Sequence, residues 1–187
     1  MNIEQALALH RESAEQLFDQ AEVDAAIAEL AARIAPRYEE RFPVLLCVMN
    51  GGLYMTAQLM RNWAFPMTVD YVHATRYRLA TLGRDVLWKA YPQTPLKDRF
   101  VIVVDDIYDQ GYTLGEVRSW CLKQGASGCE SVFLIRKRHD RPRADVEADF
   151  AALECGDRYV YGSGMDLHSH FRNLPGVYAI APEQSGR

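Results

Sequence analysis

The sequence predicts an α/β fold: a mainly parallel twisted sheet flanked by helices. Three observations lead there. VLLCVM (Val44–Met49) and FVIVV (Phe100–Val104) are continuous apolar runs, the pattern of strands buried on both faces. LYMTAQLMRNW and TLGEVRSWCLKQ, each just downstream of one of these runs, read as helices. Strands alternating with helices of this length make βαβ units, whose strands pair in parallel.

The elements follow in order. Up to about Glu40 the chain has helical spacing, with Ile27, Leu30, Ile34 and Tyr38 on one face. Asp24 is placed to cap this helix and Pro36 to kink or end it. We expect residues 1–40 to form a helical arm used for packing or oligomer contacts. The strand at Val44–Met49 stops at Asn50-Gly51-Gly52. MTVDYVHA alternates and predicts a strand from Met67 to about Ala74. The stretch from Thr75 to Pro95 lacks strong burial, and such a segment in a compact domain is expected to be a lid or mobile loop. After FVIVV and its helix, Gly125 supplies the helix stop. SVFLIRK is a strand, DFAAL and RYVYG are short extended pieces, and GVYAIA closes the chain.

Composition narrows the function classes. The chain has 187 residues, 49% hydrophobic and 25% charged, as expected of one soluble domain. A net charge of -4 argues against non-specific nucleic-acid binding. No apolar run approaches the ~20 residues that span a bilayer, and MNIEQALALHRESAEQ is not a secretory leader. Cys47, Cys121, Cys129 and Cys155 form no CxxC or zinc spacing. We expect reduced cysteines in a cytoplasmic protein that binds neither membrane nor nucleic acid.

VIVVDDIYDQGYTL (Val101–Leu114) carries the chemistry. In an open parallel sheet, ligands bind beyond the carboxyl ends of the strands. Asp105 and Asp106 are expected at that end of the strand, and Asp109-Gln110-Gly111-Tyr112-Thr113 leads into a helix N-terminus. Backbone N–H groups and the helix dipole favour an anion such as phosphate there. Gly111 permits close approach and Thr113 adds a hydroxyl. Carboxylates above a phosphate cradle repel a bare phosphate, but they suit sugar hydroxyls or a divalent metal. A ligand with a phosphate, a ribose and a magnesium ion meets all three demands. The competing reading is an acidic turn with Thr113 as helix cap. The pattern of four hydrophobics, Asp-Asp, two residues and Asp-x-Gly-x-Thr is more specific than that.

VIVVDDIYDQGYTL closely resembles the phosphoribosyl-pyrophosphate motif of type I phosphoribosyltransferases. MNGG at Met49–Gly52 resembles their pyrophosphate-binding loop, and PMTVDYVHATRYR the strand leading into the catalytic lid, with Arg76 and Tyr77 in it. LIRKRHD, DRYVYGSGMD and FRNLPGVYAI resemble the 6-oxopurine branch, the hypoxanthine-guanine phosphoribosyltransferases. The resemblance runs from about Val44 to Ile180. It implies one type I phosphoribosyltransferase domain with a lid at 75–95 and a small hood at 149–175. It implies transfer of a phosphoribosyl group from phosphoribosyl pyrophosphate to N9 of hypoxanthine or guanine, with Mg2+ as cofactor, in a homodimer or homotetramer.

The resemblance also implies roles. Asp109 is the proton acceptor beside purine N7, and Arg76 and Tyr77 act from the lid. Asn50, Gly51, Gly52 and Arg172 hold pyrophosphate, and Gln110, Gly111, Tyr112 and Thr113 hold the 5-phosphate. Lys137 donates to the exocyclic oxygen, Tyr159 stacks on the base, and Val160 reads it through its backbone carbonyl. Asp166, with Asp105 and Asp106, holds metal. Each has a plainer reading. The basic run around Lys137 reads equally as a solvated loop, Tyr159 as packing, Asp166 as a cap, and Arg172 as a surface ion pair. His73, His168 and His170 read as structural or solvated. Asn50, Gln110 and Tyr112 depart from the commoner family pattern. They keep open a non-catalytic sensor of nucleotides or phosphoribosyl pyrophosphate on the same fold; a xanthine-preferring enzyme is the other alternative.

Overall fold

The computed structural model describes residues 1–76 and 86–181. Its elements are Ile3–Ser13 (α1), Ala14–Phe18 (β1), Gln20–Ile34 (α2), Val44–Val48 (β2), Gly52–Asn62 (α3), Thr68–Arg76 (β3), Val86–Ala90 (β4), Phe100–Tyr108 (β5), Tyr112–Lys123 (α4), Gly128–Lys137 (β6), Phe150–Cys155 (β7), Val160–Tyr161 (β8) and Val177–Ile180 (β9). A six-stranded sheet has the order β4-β3-β2-β5-β6-β7. It is parallel apart from β4, which pairs antiparallel with β3 at one edge. β1, β9 and β8 make a second, antiparallel sheet.

The apolar runs explain the layering. Every residue of β2 is buried because both sheet faces are covered. Alternate side chains go to opposite faces. Leu45, Ile102 and Leu134 meet α2 and α3 through Ile27, Leu30, Met55 and Leu59. Val44, Leu46, Val101 and Val103 meet α4 through Leu114, Val117 and Cys121. Each fully buried aliphatic side chain contributes roughly 1.5–3 kcal/mol. The Trp63 indole N–H donates to the Ala31 carbonyl at 2.9 Å, tying α2 to the end of α3.

The N-terminal region differs from the expected arm. Asp19, not Asp24, caps α2: its Oδ1 accepts from the Glu22 N–H, and Glu22 Oε2 accepts from the Asp19 N–H, both at 2.8 Å. This is a capping box, and DQAE carries its signature. Asp24 instead accepts from Gln20 Nε2 at 2.9 Å. Pro36 ends the helix as expected, in a 3-10 turn at Ala35–Arg37. Ile27, Leu30, Ile34 and Tyr38 belong to the main core. Ala14–Phe18 is an edge strand whose register starts at Ala14↔Ile180, so its partner lies at the other end of the chain.

Two further boundaries move. Phe150–Cys155 was expected within the hood, but it pairs in parallel with the free edge of β6, opposite the edge that β5 takes, as the last strand of the large sheet. Of the expected hood, only Val160–Tyr161 (β8) is a strand outside the large sheet, and it joins β9 and β1 in the small one. Within the expected lid, Val86–Ala90 is a sheet strand, and Trp88 stacks on Tyr91 with ring centroids 4.9 Å apart. Tyr77 and the rest of the lid through Asp85 lie outside the described residues, as does the Arg76 side chain.

Candidate active site

β2 pairs with β5 only as far as Cys47↔Val104, whereas β6 follows β5 to Tyr108↔Arg136. One edge of β5 is therefore open from Asp105 onward. The connections from β2 and β5 leave in opposite directions there, the switch point at which open sheets bind ligands. The strand was expected to stop at Val104; it runs on through both acids because β6 keeps pairing with it.

Local hydrogen bonds orient the acid pair. The Asp106 N–H donates to Asp105 Oδ1 at 2.9 Å, and the Ile107 N–H to Asp106 Oδ1 at 2.7 Å. Burial first, and repulsion from Asp106 second, push Asp105 well above the ordinary carboxylate range. Burial also raises Asp106, against the pull of Arg172.

The glycine loop explains itself by distance. A Cβ on Gly51 would fall 1.9 Å from Asp106 Oδ2, and one on Gly52 2.4 Å from the Val104 carbonyl oxygen. No other residue lets this loop lie against the acids. The Met49–Asn50 peptide is cis. Gly111 has φ +78° and no side chain caps α4, which starts at Tyr112. Thr113 therefore sits in the first turn and is not the cap. The arrangement leaves a helix N-terminus facing the cleft, suited to a phosphate.

Every expected site residue with a described side chain, apart from Gly52, lines one of two adjoining cavities of about 750 and 380 Å³. The larger holds Asp109, the Gln110–Thr113 loop, Lys137, Tyr159, Val160 and Asp166. The smaller holds Asn50, Gly51 and Arg172. Asp105, Asp106 and Thr113 line both.

Arg172 is no surface ion pair. Its Nη2 donates to Asp166 Oδ1 and its Nη1 to the Gly164 carbonyl, both at 2.6 Å, and Nη1 lies 3.8 Å from Asp106 Oδ2. It thus links the hood loop to the acid pair. Asp166 caps no helix; its Oδ2 accepts from the Ser169 N–H at 2.6 Å. The Tyr159 hydroxyl donates to the Asp166 carbonyl at 3.1 Å, and its ring stacks against His168 at 5.6 Å between centroids.

Four residues were missed or set aside. The basic run after Lys137 folds back on the acids: Asp109 Oδ1 accepts from Arg141 Nη2 at 2.5 Å and lies 2.8 Å from His139 Nε2, which donates to the Asp109 carbonyl at 3.2 Å. Arg141 also grips Asp157 through Nε at 2.8 Å and Nη2 at 2.7 Å. Nothing in the spacing of RKRHDRPR separates these residues from solvated ones. Lys89 and His73 line the smaller cavity. Burial lowers the pKa of His73, and the charge of Lys89 lowers it further.

Among the described residues, no three His, Cys, Asp or Glu side chains converge into a ready-made metal site. The adjacent, half-buried carboxylates still fit magnesium. That ion takes one or two carboxylates and draws its other ligands from water and substrate phosphates.

This layout is matched outside the chain. The phosphoribosyl transferase domain family matches residues 13–157. The chain belongs to that family. A hypoxanthine-guanine-xanthine phosphoribosyltransferase of Tritrichomonas foetus is 28% identical, over 85% of this chain and 87% of its own. The hypoxanthine-guanine phosphoribosyltransferase of Bacillus subtilis is 28% identical, over 89% and 92%. The solved structure of Trypanosoma cruzi hypoxanthine phosphoribosyltransferase in complex with the product IMP superposes with a TM-score of 0.83 at 26% identity, covering 92% of this chain and 97% of that one. Among the described residues of this phosphoribosyltransferase, no helix is long and apolar enough to cross a membrane.

Proposed function

We propose that this phosphoribosyltransferase is a purine-salvage enzyme. It transfers the 5-phosphoribosyl group from phosphoribosyl pyrophosphate to N9 of hypoxanthine or guanine, giving IMP or GMP and pyrophosphate. One observation carries the reading: Lys137 and Asp109 share a cavity with an uncapped helix N-terminus, and the half-buried acid pair joins it to a second cavity lined by Arg172 and Lys89. The relatives named above support the choice of base.

In this reading the Gly111–Thr113 backbone and hydroxyl hold the 5-phosphate, and Asp105 and Asp106 hold the ribose hydroxyls. Tyr159 packs on the base, and Val160 reads its edge through the backbone. Asp109 takes the N7 proton as N9 bonds to the anomeric carbon and the bond to pyrophosphate breaks. Arg172, Lys89 and the Asn50–Gly52 loop meet the charge growing on pyrophosphate. Asp105, Asp106 and Asp166 would hold the magnesium ion, which supplies Lewis-acid stabilisation of the leaving group when bound.

The test is ultraviolet-monitored turnover with phosphoribosyl pyrophosphate and magnesium, offering hypoxanthine, guanine, xanthine and adenine in parallel. Conversion of hypoxanthine or guanine but not adenine is expected. Binding of phosphoribosyl pyrophosphate without conversion of any base overturns the enzyme reading in favour of a sensor.

Two side chains divide the substrates between them. Lys137→Met is expected to raise KM for guanine and hypoxanthine roughly 10-fold or more, because an oxygen acceptor is left unpaired, with KM for phosphoribosyl pyrophosphate unchanged. Lys89→Ala is expected to do the reverse, raising KM for phosphoribosyl pyrophosphate roughly 5- to 10-fold by loss of one charge-assisted contact. Steady-state titration of each substrate against the other separates the outcomes; a Lys89 variant with parental constants removes it from the site.

A further inference from the structure

We propose that His139 is a positioning residue for Asp109, a role that rests on the phosphoribosyl-transfer reading above. His139 follows Arg138, whose side chain is 74% exposed, yet the His139 side chain is only 1% exposed. A polar ring is buried at the cleft only if its hydrogen bonds are met.

They are met by Asp109 and by Arg141. The Arg141 backbone N–H donates to His139 Nδ1 at 3.2 Å. Nδ1 is therefore the acceptor, and the neutral ring carries its proton on Nε2, a tautomer assigned from the hydrogen-bond network. Nε2 lies 2.8 Å from Asp109 Oδ1 and 3.2 Å from the Asp109 backbone carbonyl oxygen. It donates to the carbonyl oxygen, so one buried N–H holds the main chain of Asp109 while the same nitrogen lies against its carboxylate. Arg141 Nη2 shares Oδ1 at 2.5 Å and is itself held by Asp157. Among the described residues, the hydrogen bonds and ion pairs of the Asp109 carboxylate fall on Oδ1.

The consequence is directional. With Oδ1 held by Arg141, the His139 ring against it and the main chain fixed by His139, the carboxylate cannot rotate freely, and Oδ2 is the oxygen left for the ligand. In the reaction above, the N7–H bond breaks, an Oδ2–H bond forms, and the released electron pair stays on the purine as N9 bonds to the ribose. Misplacing a reacting group by ~1 Å can cost on the order of 10²-fold in rate, so a fixed Oδ2 affects kcat more than substrate binding.

The experiment compares substitutions that differ in reach. His139→Gln can place an amide N–H near the Nε2 position, whereas His139→Asn cannot extend that far and His139→Leu has no donor. We expect Gln to keep kcat within about threefold of the parent. Asn and Leu should lower kcat roughly 10- to 100-fold, with KM for phosphoribosyl pyrophosphate within about twofold. The second arm repeats the Asn and Leu substitutions in an Asp109→Asn background. Because His139 acts through Asp109, their cost there should shrink to less than about twofold, a coupling that the double-mutant cycle reads directly. Equal losses in both backgrounds, or a Gln variant as impaired as Leu, would mean that His139 merely fills space. A parent chain that transfers to no purine defeats the underlying reading instead. Parental kcat in all three His139 variants defeats only this proposal, and thermal melts identify any variant lost to unfolding.

Discussion

Asp109→Asn is expected to lower kcat by roughly 10²- to 10⁴-fold, the span of general-base contributions. KM for phosphoribosyl pyrophosphate should move by less than about threefold. The asymmetry comes from the two carboxylate oxygens. Asparagine keeps an oxygen at the Oδ1 position, so the contacts from His139 Nε2 and Arg141 Nη2 have an acceptor and the loop keeps its shape. At the Oδ2 position it presents an amide, which cannot take a proton from N7. The lower bound corresponds to about 2.7 kcal/mol of transition-state stabilisation, at about 1.36 kcal/mol per tenfold. Single-turnover measurements would separate this loss from product release. A variant with the parent's chemical rate would show that Asp109 only anchors the base.

Asp105→Asn is expected to move stability and activity in opposite directions. Burial and the neighbouring Asp106 raise the Asp105 carboxyl well above its ordinary range. The folded state therefore binds the proton more tightly than the unfolded state. Stability falls as pH rises from the ordinary carboxylate range through the folded value, and the cost is fully present above that value. Asparagine removes the charge and keeps the Oδ1 that accepts from the Asp106 N–H. Without ligands or magnesium at neutral pH, the variant should melt a few degrees above the parent. A gain of about 2–4 °C corresponds to roughly 1 kcal/mol in a chain of this size. The advantage should disappear as the pH is lowered into the ordinary carboxylate range, where the parent is protonated too. Turnover should meanwhile fall roughly 10²-fold, since a site that binds a cation and ribose is kept at the expense of stability. Melting curves from pH 4 to 8 decide the matter: a variant that melts below the parent at neutral pH would show that the acid pair does not destabilise the free enzyme.

Most of the framework was legible because it depends on local pattern. Continuous apolar runs of five or six residues bounded by turn signals read as central strands, and the glycines at 51, 52 and 111 stand where a close approach or a positive φ demands them. The acids of VIVVDDIYDQGYTL read as cleft-facing for the same reason, since charges that adjoin a buried strand need something to neutralise them, and they line the cavities. The errors have a common cause in distance along the chain. AEQLF looks like part of a helical arm because the β9 residues that make it a strand lie at Val177–Ile180. Phe150–Cys155 reads as a separate extended piece because the β6 edge that pairs with it is not visible in its own composition.

The sequence by itself determined the alternation of buried strands and amphipathic helices, the glycine loops, and the set of acids, lysine and arginine that line the cleft. Tertiary structure alone decided that β2 stops pairing at Val104 while β6 continues to Tyr108, and this opens the edge on which the acids act. It alone chose His139 and Arg141 from a run of basic residues as the partners of Asp109. The physical reason is that periodicity records which face of an element is buried. A hydrogen bond between residues thirty positions apart depends on where the loops bring them, and no local pattern encodes that.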